Sequence, residues 1–278
     1  MQLEFRDQVL DLSEPRVMGI LNRTPDSFSD GGFYTDLDAA LRRAEQMVRE
    51  GADLLDIGGE STRPAAEAVS EQQELDRVVP VIEKLAGETG VPISVDTSKP
   101  AVMRAAVAAG ASMINDVFGL RLPGALTAAG ECGVPVCVMH MQGEPRSMQQ
   151  NPHYDDVVAE VKQFLADRIA ACVKAGISRS QIVIDPGFGF GKNLEHNLAL
   201  LQRLHDFAEL CQPLLVGLSR KSMLGRLLGG APADERLHAS VAAAVIAVER
   251  GAHIVRCHDV APTVEALKVA AAAKIARL

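Results

Sequence analysis

Tryptophan is missing from this 278-residue chain and aromatic residues make up only 4% of it, so its core cannot rest on large rings. With 47% apolar residues, the core has to come from Ala, Val, Leu and Ile, which suits stacked strand interiors and closely packed helices. Cysteine is sparse and scattered. Cys132, Cys137, Cys172, Cys211 and Cys257 form no CxxC pair, keep no ligand spacing with histidine and are odd in number, which excludes a disulfide framework and a structural zinc motif and predicts reduced thiols. Positive charge does not dominate either: the net charge of -8 argues against nucleic acid as the main partner, although an acidic protein still holds phosphate where it concentrates cations locally. No apolar run is long enough for a membrane span, and the opening MQLEFRDQVLDL breaks its apolar stretches with charges, unlike an export signal. A reducing cytoplasm, with no membrane partner, is the expectation.

What the chain does have is repetition. Short apolar runs at 17–21, 54–57, 93–95, 113–114, 136–139, 182–184, 214–217 and 254–257 are bounded by turn residues and separated by segments of helical period. This alternation is that of βαβ units in a parallel sheet, and eight runs fit a closed barrel. The predicted fold is α/β, a (β/α)8 TIM barrel forming one domain over 1–278, with a hairpin at 3–5 and 9–12 closing its floor. Ser70 and Gln73 form a capping box ahead of Leu75, Val78, Val79, Ile82 and Leu85, and Ser98-Lys99-Pro100 opens another helix. Stretches 154–175 and 234–249 read as outer helices, and Pro262 as the start of a last one.

Connections at 23–36, 58–70, 141–154 and 186–195 are too long for simple turns and all follow strands, the side on which this fold builds its sites. Strand after strand finishes there in a polar residue: Asn22, Asp56, Asp96, Asn115, His140, Asp185, Ser219 with Arg220 and Lys221, and Arg256 with His258. Asp96, Asn115 and Asp185 follow apolar residues, so their side chains are expected deep in the mouth, where carboxylates need donors. Lys221 offers one; the guanidine-like edge of a flat heterocycle matches the set, and an internal salt-bridge network with Lys221 or an arginine is the alternative. Asn22, Thr62, Arg63, Arg256 and His258 end neighbouring strands and suit an anion, with the Asn22 amide oxygen able to ligate a hard cation such as magnesium. That pattern points to a diphosphate and its metal, unless Arg256 and His258 pair with Asp56 and Asp259. Phe28, Pro64 and Phe190 would line an apolar slot for a second planar ligand. Gly187 to Lys192 lacks Walker spacing and reads as a tight turn against a bound ring.

Taken together, MGILNRTPDSFSDGG, DIGGESTRPAA, SVDTSKPAV, INDV, VMHMQGEPRSMQ, DPGFGFGKNLEHN, GLSRKSMLG and RCHDV resemble the dihydropteroate synthase family from about residue 17 to the C-terminus. The resemblance implies a magnesium-dependent transferase of folate synthesis that condenses a 7,8-dihydropterin hydroxymethyl diphosphate with 4-aminobenzoate by a largely dissociative substitution. It implies that Asp96, Asn115, Asp185 and Lys221 hold the pterin between Met139 and Phe190. Asn22 would ligate magnesium with Asp30 nearby, and Thr62, Arg63, Arg256 and His258 would hold the diphosphate. Phe28, Thr62, Pro64, Lys221 and Ser222 would shape the aminobenzoate slot, and the Ala-rich last helices would pair two copies of the chain. Lys221, Arg256, Asp96, Asp185 and Asp30 are its implied catalytic set. One departure is Arg23, where many members carry a small apolar residue; it would pair with Asp26 or Asp30, or point into the anion site. Two alternatives stand beside this reading: a reduced-folate methyltransferase of the same barrel family, which would not need the diphosphate cluster, and a non-catalytic pterin-binding paralogue.

Overall fold

The computed structural model describes residues 1–6, 8–23, 33–61, 69–145 and 147–275. The first two strands, β1 (Gln2–Glu4) and β2 (Val9–Asp11), pair antiparallel, with Leu3 opposite Leu10. Eight parallel strands follow: β3 (Arg16–Asn22), β4 (Leu54–Gly58), β5 (Ile93–Asp96), β6 (Met113–Asp116), β7 (Val136–Met139), β8 (Ile182–Asp185), β9 (Leu215–Val216) and β10 (Ile254–Cys257). Their order is β8-β7-β6-β5-β4-β3-β10-β9. A parallel bridge between Ile184 and Leu214, with Ile184 N–H donating to the Pro213 carbonyl at 2.9 Å, closes the seam between β8 and β9. The result is the expected α/β barrel of TIM type, with its N-terminal hairpin.

Strand side chains alternate between two environments, as a two-residue period requires. One set, including Val17, Leu55, Ile57, Val95, Ile114, Val136, Val138, Ile184, Val216 and Val255, packs outward against the helices. The other set points inward. Met18, Leu54, Met113, Cys137, Val183, Leu215 and Ile254 form one layer that buries Leu3, Phe5 and Leu12 from the hairpin segment, so the floor is sealed by apolar contact. Close helix approach uses the small residues: a Cβ at Gly19 would lie 2.8 Å from Met47 Sδ.

Helices surround the sheet: α1 (Phe33–Arg49), α2 (Glu71–Glu88), α3 (Pro100–Ala108), α4 (Ala125–Cys132), α5 (Val157–Lys174), α6 (Leu194–Gln202), α7 (Ser222–Leu227), α8 (Leu237–Glu249) and α9 (Val260–Ile275). The Ser70 and Gln73 capping box is present. Several helix ends differ from the sequence reading for local reasons. At α3, Lys99 is the cap residue and Pro100 fills the first turn, while the Ser98 hydroxyl turns away to Asp116. Helix α5 starts at Val157 because Asp156 accepts from Val158 and Ala159 N–H; Tyr154 instead donates its hydroxyl to the Gly191 carbonyl at 2.8 Å. The 234–249 stretch divides into a 3-10 turn (Ala233–Glu235) and α8, with the Arg236 guanidinium between them bonding Ala231 and Arg220 carbonyls. The last helix begins at Val260, so Pro262 lies in its first turn, where its missing N–H has no intrahelical partner to lose.

Candidate active site

One inward step above the apolar floor, the same strands present Ile20, Asp56, Asp96, Asn115, Met139, Asp185, Gly217 and Arg256. The alternation that buries the floor therefore also stacks the polar ends of five strands, Asp56, Asp96, Asn115, Asp185 and Arg256, into one layer at the C-terminal mouth. Asp56 is fully buried there, a position a carboxylate holds only with partners. Arg256 supplies them: its Nε donates to Asp56 Oδ2 at 2.5 Å and its Nη2 to Asp96 Oδ2 at 2.7 Å. Asn115 Nδ2 donates to the same Asp56 oxygen at 3.1 Å. Both carboxylates hold the Arg256 charge against the cost of its burial and raise its pKa above the ordinary value.

Burial dominates the other ionisable groups of the layer. It pushes the Asp96 carboxyl up to about 7, with Arg256 pulling the other way and Asp56 adding to the rise. Asp185 is raised too by burial, opposed by the Gly187 N–H that donates to its Oδ1 at 2.7 Å and by the Lys221 charge. Desolvation, then repulsion from Arg256, pushes Lys221 down to about 8. Its ammonium sits 4.2 Å from the Phe190 ring centroid, a cation–π distance. Phe190 and Met139 belong to a small apolar cluster with Val117, Met141 and Met148, separate from the main core. The mouth thus joins a carboxylate and amide surface to an apolar wall.

His258 Nδ1 and the Ser219 hydroxyl share a hydrogen bond at 3.0 Å, and the His258 backbone N–H donates to the same Ser219 oxygen at 3.2 Å. Burial, then Arg256 and Arg220, pushes the imidazole down to about 3, so His258 offers a neutral N–H rather than a charge. Asp259 pairs with Arg220 at 2.6 Å, not with His258. Arg23 Nη1 donates to the Arg77 and Asp76 carbonyls of α2, at 2.8 and 3.4 Å, while Asp26 and Asp30 lie outside the described residues.

A family model described as pterin binding enzyme matches residues 18–258. Over 269 residues the chain is 56% identical to the dihydropteroate synthase of Escherichia coli strain K12, covering 97% of this chain and 95% of that one. The chain belongs to the dihydropteroate synthase family. It is a transferase by that membership. Among solved members, the Yersinia pestis dihydropteroate synthase in a sulfonamide complex superposes with a TM-score of 0.95 at 55% identity, covering 99% of this chain and all of that one. The Xanthomonas albilineans dihydropteroate synthase does so at 0.94 with 4-aminobenzoic acid (54% identity, 99% of both chains) and at 0.91 with 7,8-dihydropteroate (52%, all of both).

Of the residues singled out in the sequence, the structure brings Asp96, Asn115, Asp185, Arg256 and Met139 into one layer, with Lys221 and Phe190 in contact beside it. Asn22 ends β3 next to Asp96: a Cβ on Gly58 would lie 3.4 Å from Asn22 Oδ1 and 3.5 Å from Asp96 Cβ. Ser222 is exposed at the start of α7. Phe28, Asp30, Thr62, Arg63 and Pro64 lie outside the described residues. Among the described residues no group of three or more His, Cys, Asp or Glu side chains could hold a metal ion. A single amide oxygen at the rim fits magnesium all the same, because that ion keeps waters and substrate phosphate oxygens as its other ligands. The central place of Asp56 was legible as a carboxylate inside an apolar strand; Met141, Met148 and the buried Lys192 carried no such mark.

Proposed function

We propose that this chain joins the hydroxymethyl carbon of a 7,8-dihydropterin diphosphate to the amine of 4-aminobenzoate, giving 7,8-dihydropteroate and diphosphate. The observation that carries the reading is the inward layer of Asp56, Asp96, Asn115, Asp185 and Arg256, with Lys221 beside it, in a chain of this family. The carbon–oxygen bond breaks with its electron pair going to the diphosphate, the amine lone pair forms the new carbon–nitrogen bond, and the nitrogen releases a proton. No side-chain nucleophile is needed. Asp96, Asn115 and Asp185 accept from the pterin's amino and ring N–H groups, Lys221 donates to it, and Met139 and Phe190 cover its faces. The buried carboxylates also favour the positive charge that develops on the methylene carbon as the diphosphate departs.

Arg256 spends two of its five N–H donors on Asp56 and Asp96 and keeps the rest for the leaving diphosphate. His258, Thr62 and Arg63 complete the anion site. Asn22, with Asp30 as a second proposed contributor, would hold magnesium, which when bound would supply charge neutralisation for the leaving group. Phe28, Thr62, Pro64, Lys221 and Ser222 form the aminobenzoate slot, which fixes the amine's approach. The whole of 1–278 acts as one pterin-binding barrel in the cytoplasm, and two copies associate through α8 and α9, where Val269 is 71% exposed. No helix among the described residues is long and apolar enough to cross a membrane.

Labelled aminobenzoate decides the reaction: product is expected only with the pterin diphosphate and magnesium together, and growth of a synthase-deficient strain should be restored without folate end products. Pterin binding without product would favour the methyltransferase reading. For Arg256→Ala, turnover is expected to fall about 100-fold with a smaller change in pterin affinity; equal losses in both would sink the leaving-group role. Light scattering of the purified chain tests the dimer, and a monomer at micromolar concentration would overturn it.

A further inference from the structure

Behind the glycine-rich segment that follows β8 lies a lysine that the reaction scheme does not use. Lys192 is 2% exposed. Its ammonium has three N–H donors and three acceptors at 2.9 Å: the Gly187 carbonyl, the Phe190 carbonyl and His140 Nδ1. No carboxylate touches it in these contacts; it is held by carbonyl dipoles and an imidazole. Burial pushes Lys192 down to about 7, against the attraction of Asp185, and pushes His140 down to about 2, with Lys192 adding to that shift. His140 is therefore neutral and accepts at Nδ1, with its proton on Nε2.

The backbone around this ammonium is curled so that carbonyls converge on it. Gly187, Gly189 and Gly191 all have positive φ, and a Cβ at Gly187 would collide with the His140 carbonyl. Convergent carbonyls repel one another unless a cation sits between them. Two arms run from that point to the mouth. Lys192 bonds the Gly187 carbonyl, and the N–H of the same residue donates to Asp185 Oδ1 at 2.7 Å. Lys192 also bonds the Phe190 carbonyl, and the Phe190 ring lies under Lys221 Nζ at 4.2 Å.

We infer that Lys192 is a positioning residue for the pterin end of the reaction: by gathering the carbonyls of Gly187 and Phe190 against His140 it sets the Asp185 carboxylate and the Phe190 ring that seats Lys221. This rests on the reading that Asp185, Phe190 and Lys221 hold the pterin. Lys192→Met keeps the volume while removing the donors. Calorimetric titration of the full-length variant with the pterin diphosphate should show binding weakened about tenfold or more, with a smaller change in the KM for 4-aminobenzoate, since only the Phe190 and Lys221 arm reaches that slot. Pterin binding within about twofold of the parent, or a lowered melting temperature with pterin binding intact, would assign Lys192 to folding alone and overturn the inference. Asp185→Asn run alongside separates the two levels: unchanged pterin affinity there would overturn the pterin assignment itself, whereas loss in Asp185→Asn without loss in Lys192→Met overturns only the role of Lys192. Should Lys192→Met fail to fold, the 15N histidine spectrum of the unsubstituted protein at pH 6 decides: a neutral His140 protonated on Nε2 is expected, and an Nδ1–H or doubly protonated ring contradicts the contact.

Discussion

At the scale of single residues, the mouth is tuned by burial more than by pairing. Asp96, raised to about 7, and Lys221, lowered to about 8, place two titrations close to neutrality in one layer. If the pterin needs Asp96 ionised and Lys221 protonated, kcat/KM for the pterin substrate should fall both below about pH 7 and above about pH 8. Lys221→Arg should move the alkaline limb out of range, because a guanidinium does not deprotonate there; a limb left in place would remove Lys221 from the profile. Stability carries the same signature with a definite sign. Between the ordinary 3.8 and about 7 the folded chain keeps a proton on Asp96 that the unfolded chain has released, so the Asp96 contribution falls as pH rises through that window. Urea unfolding at pH 5 and pH 8 should accordingly show Asp96→Asn gaining on the parent at the higher pH. The carboxylates were legible in the sequence because a charged residue closing an apolar run demands an explanation. Lys192 was not, since lysine is ordinarily exposed and nothing local marks one that turns inward.

Among the elements, helix ends were decided by contacts from far along the chain. Pro80 stands inside α2 with no N–H to give the Asp76 carbonyl, and its ring crowds that oxygen. Arg23, from the end of β3, donates to the Asp76 and Arg77 carbonyls. Arg23→Ala should cost about 1–3 kcal/mol in urea unfolding, and Pro80→Ala, which restores a backbone donor, should recover part of it. A coupling of about 0.5–3 kcal/mol in the double-mutant cycle is expected; strict additivity would show that the two residues do not share those carbonyls. The capping box at Ser70 could be read directly because both partners lie within one turn. The start of α5 could not, because Tyr154 is drawn out of the helix by the Gly191 carbonyl 37 residues away.

For the molecule as a whole, the barrel separates stability from chemistry along its axis. Leu3, Phe5 and Leu12 seal one end against the inward floor residues, while the polar layer occupies the other. Leu3→Ala should therefore cost about 2–5 kcal/mol of stability with the KM values of both substrates unchanged, measured by urea unfolding and steady-state kinetics. A changed KM would mean that the floor and the mouth are coupled. The seam between β8 and β9 is the thinnest join of the sheet, a bridge at Ile184 and Leu214 beside the two-residue strand β9.

The eight apolar runs, the two-residue alternation within them and the polar residues at their ends determined the barrel and which of its ends is chemical, because strand period and burial are local properties of sequence. Tertiary structure alone decided how the charges pair. Arg256 lies 200 positions from Asp56 and 160 from Asp96, and only barrel closure, which puts β10 beside β3 with β4 and β5 the next strands round, sets its guanidinium between both carboxylates. The inward turn of Lys192 has the same origin, since its acceptors come from two loops brought together by the β7 and β8 pairing.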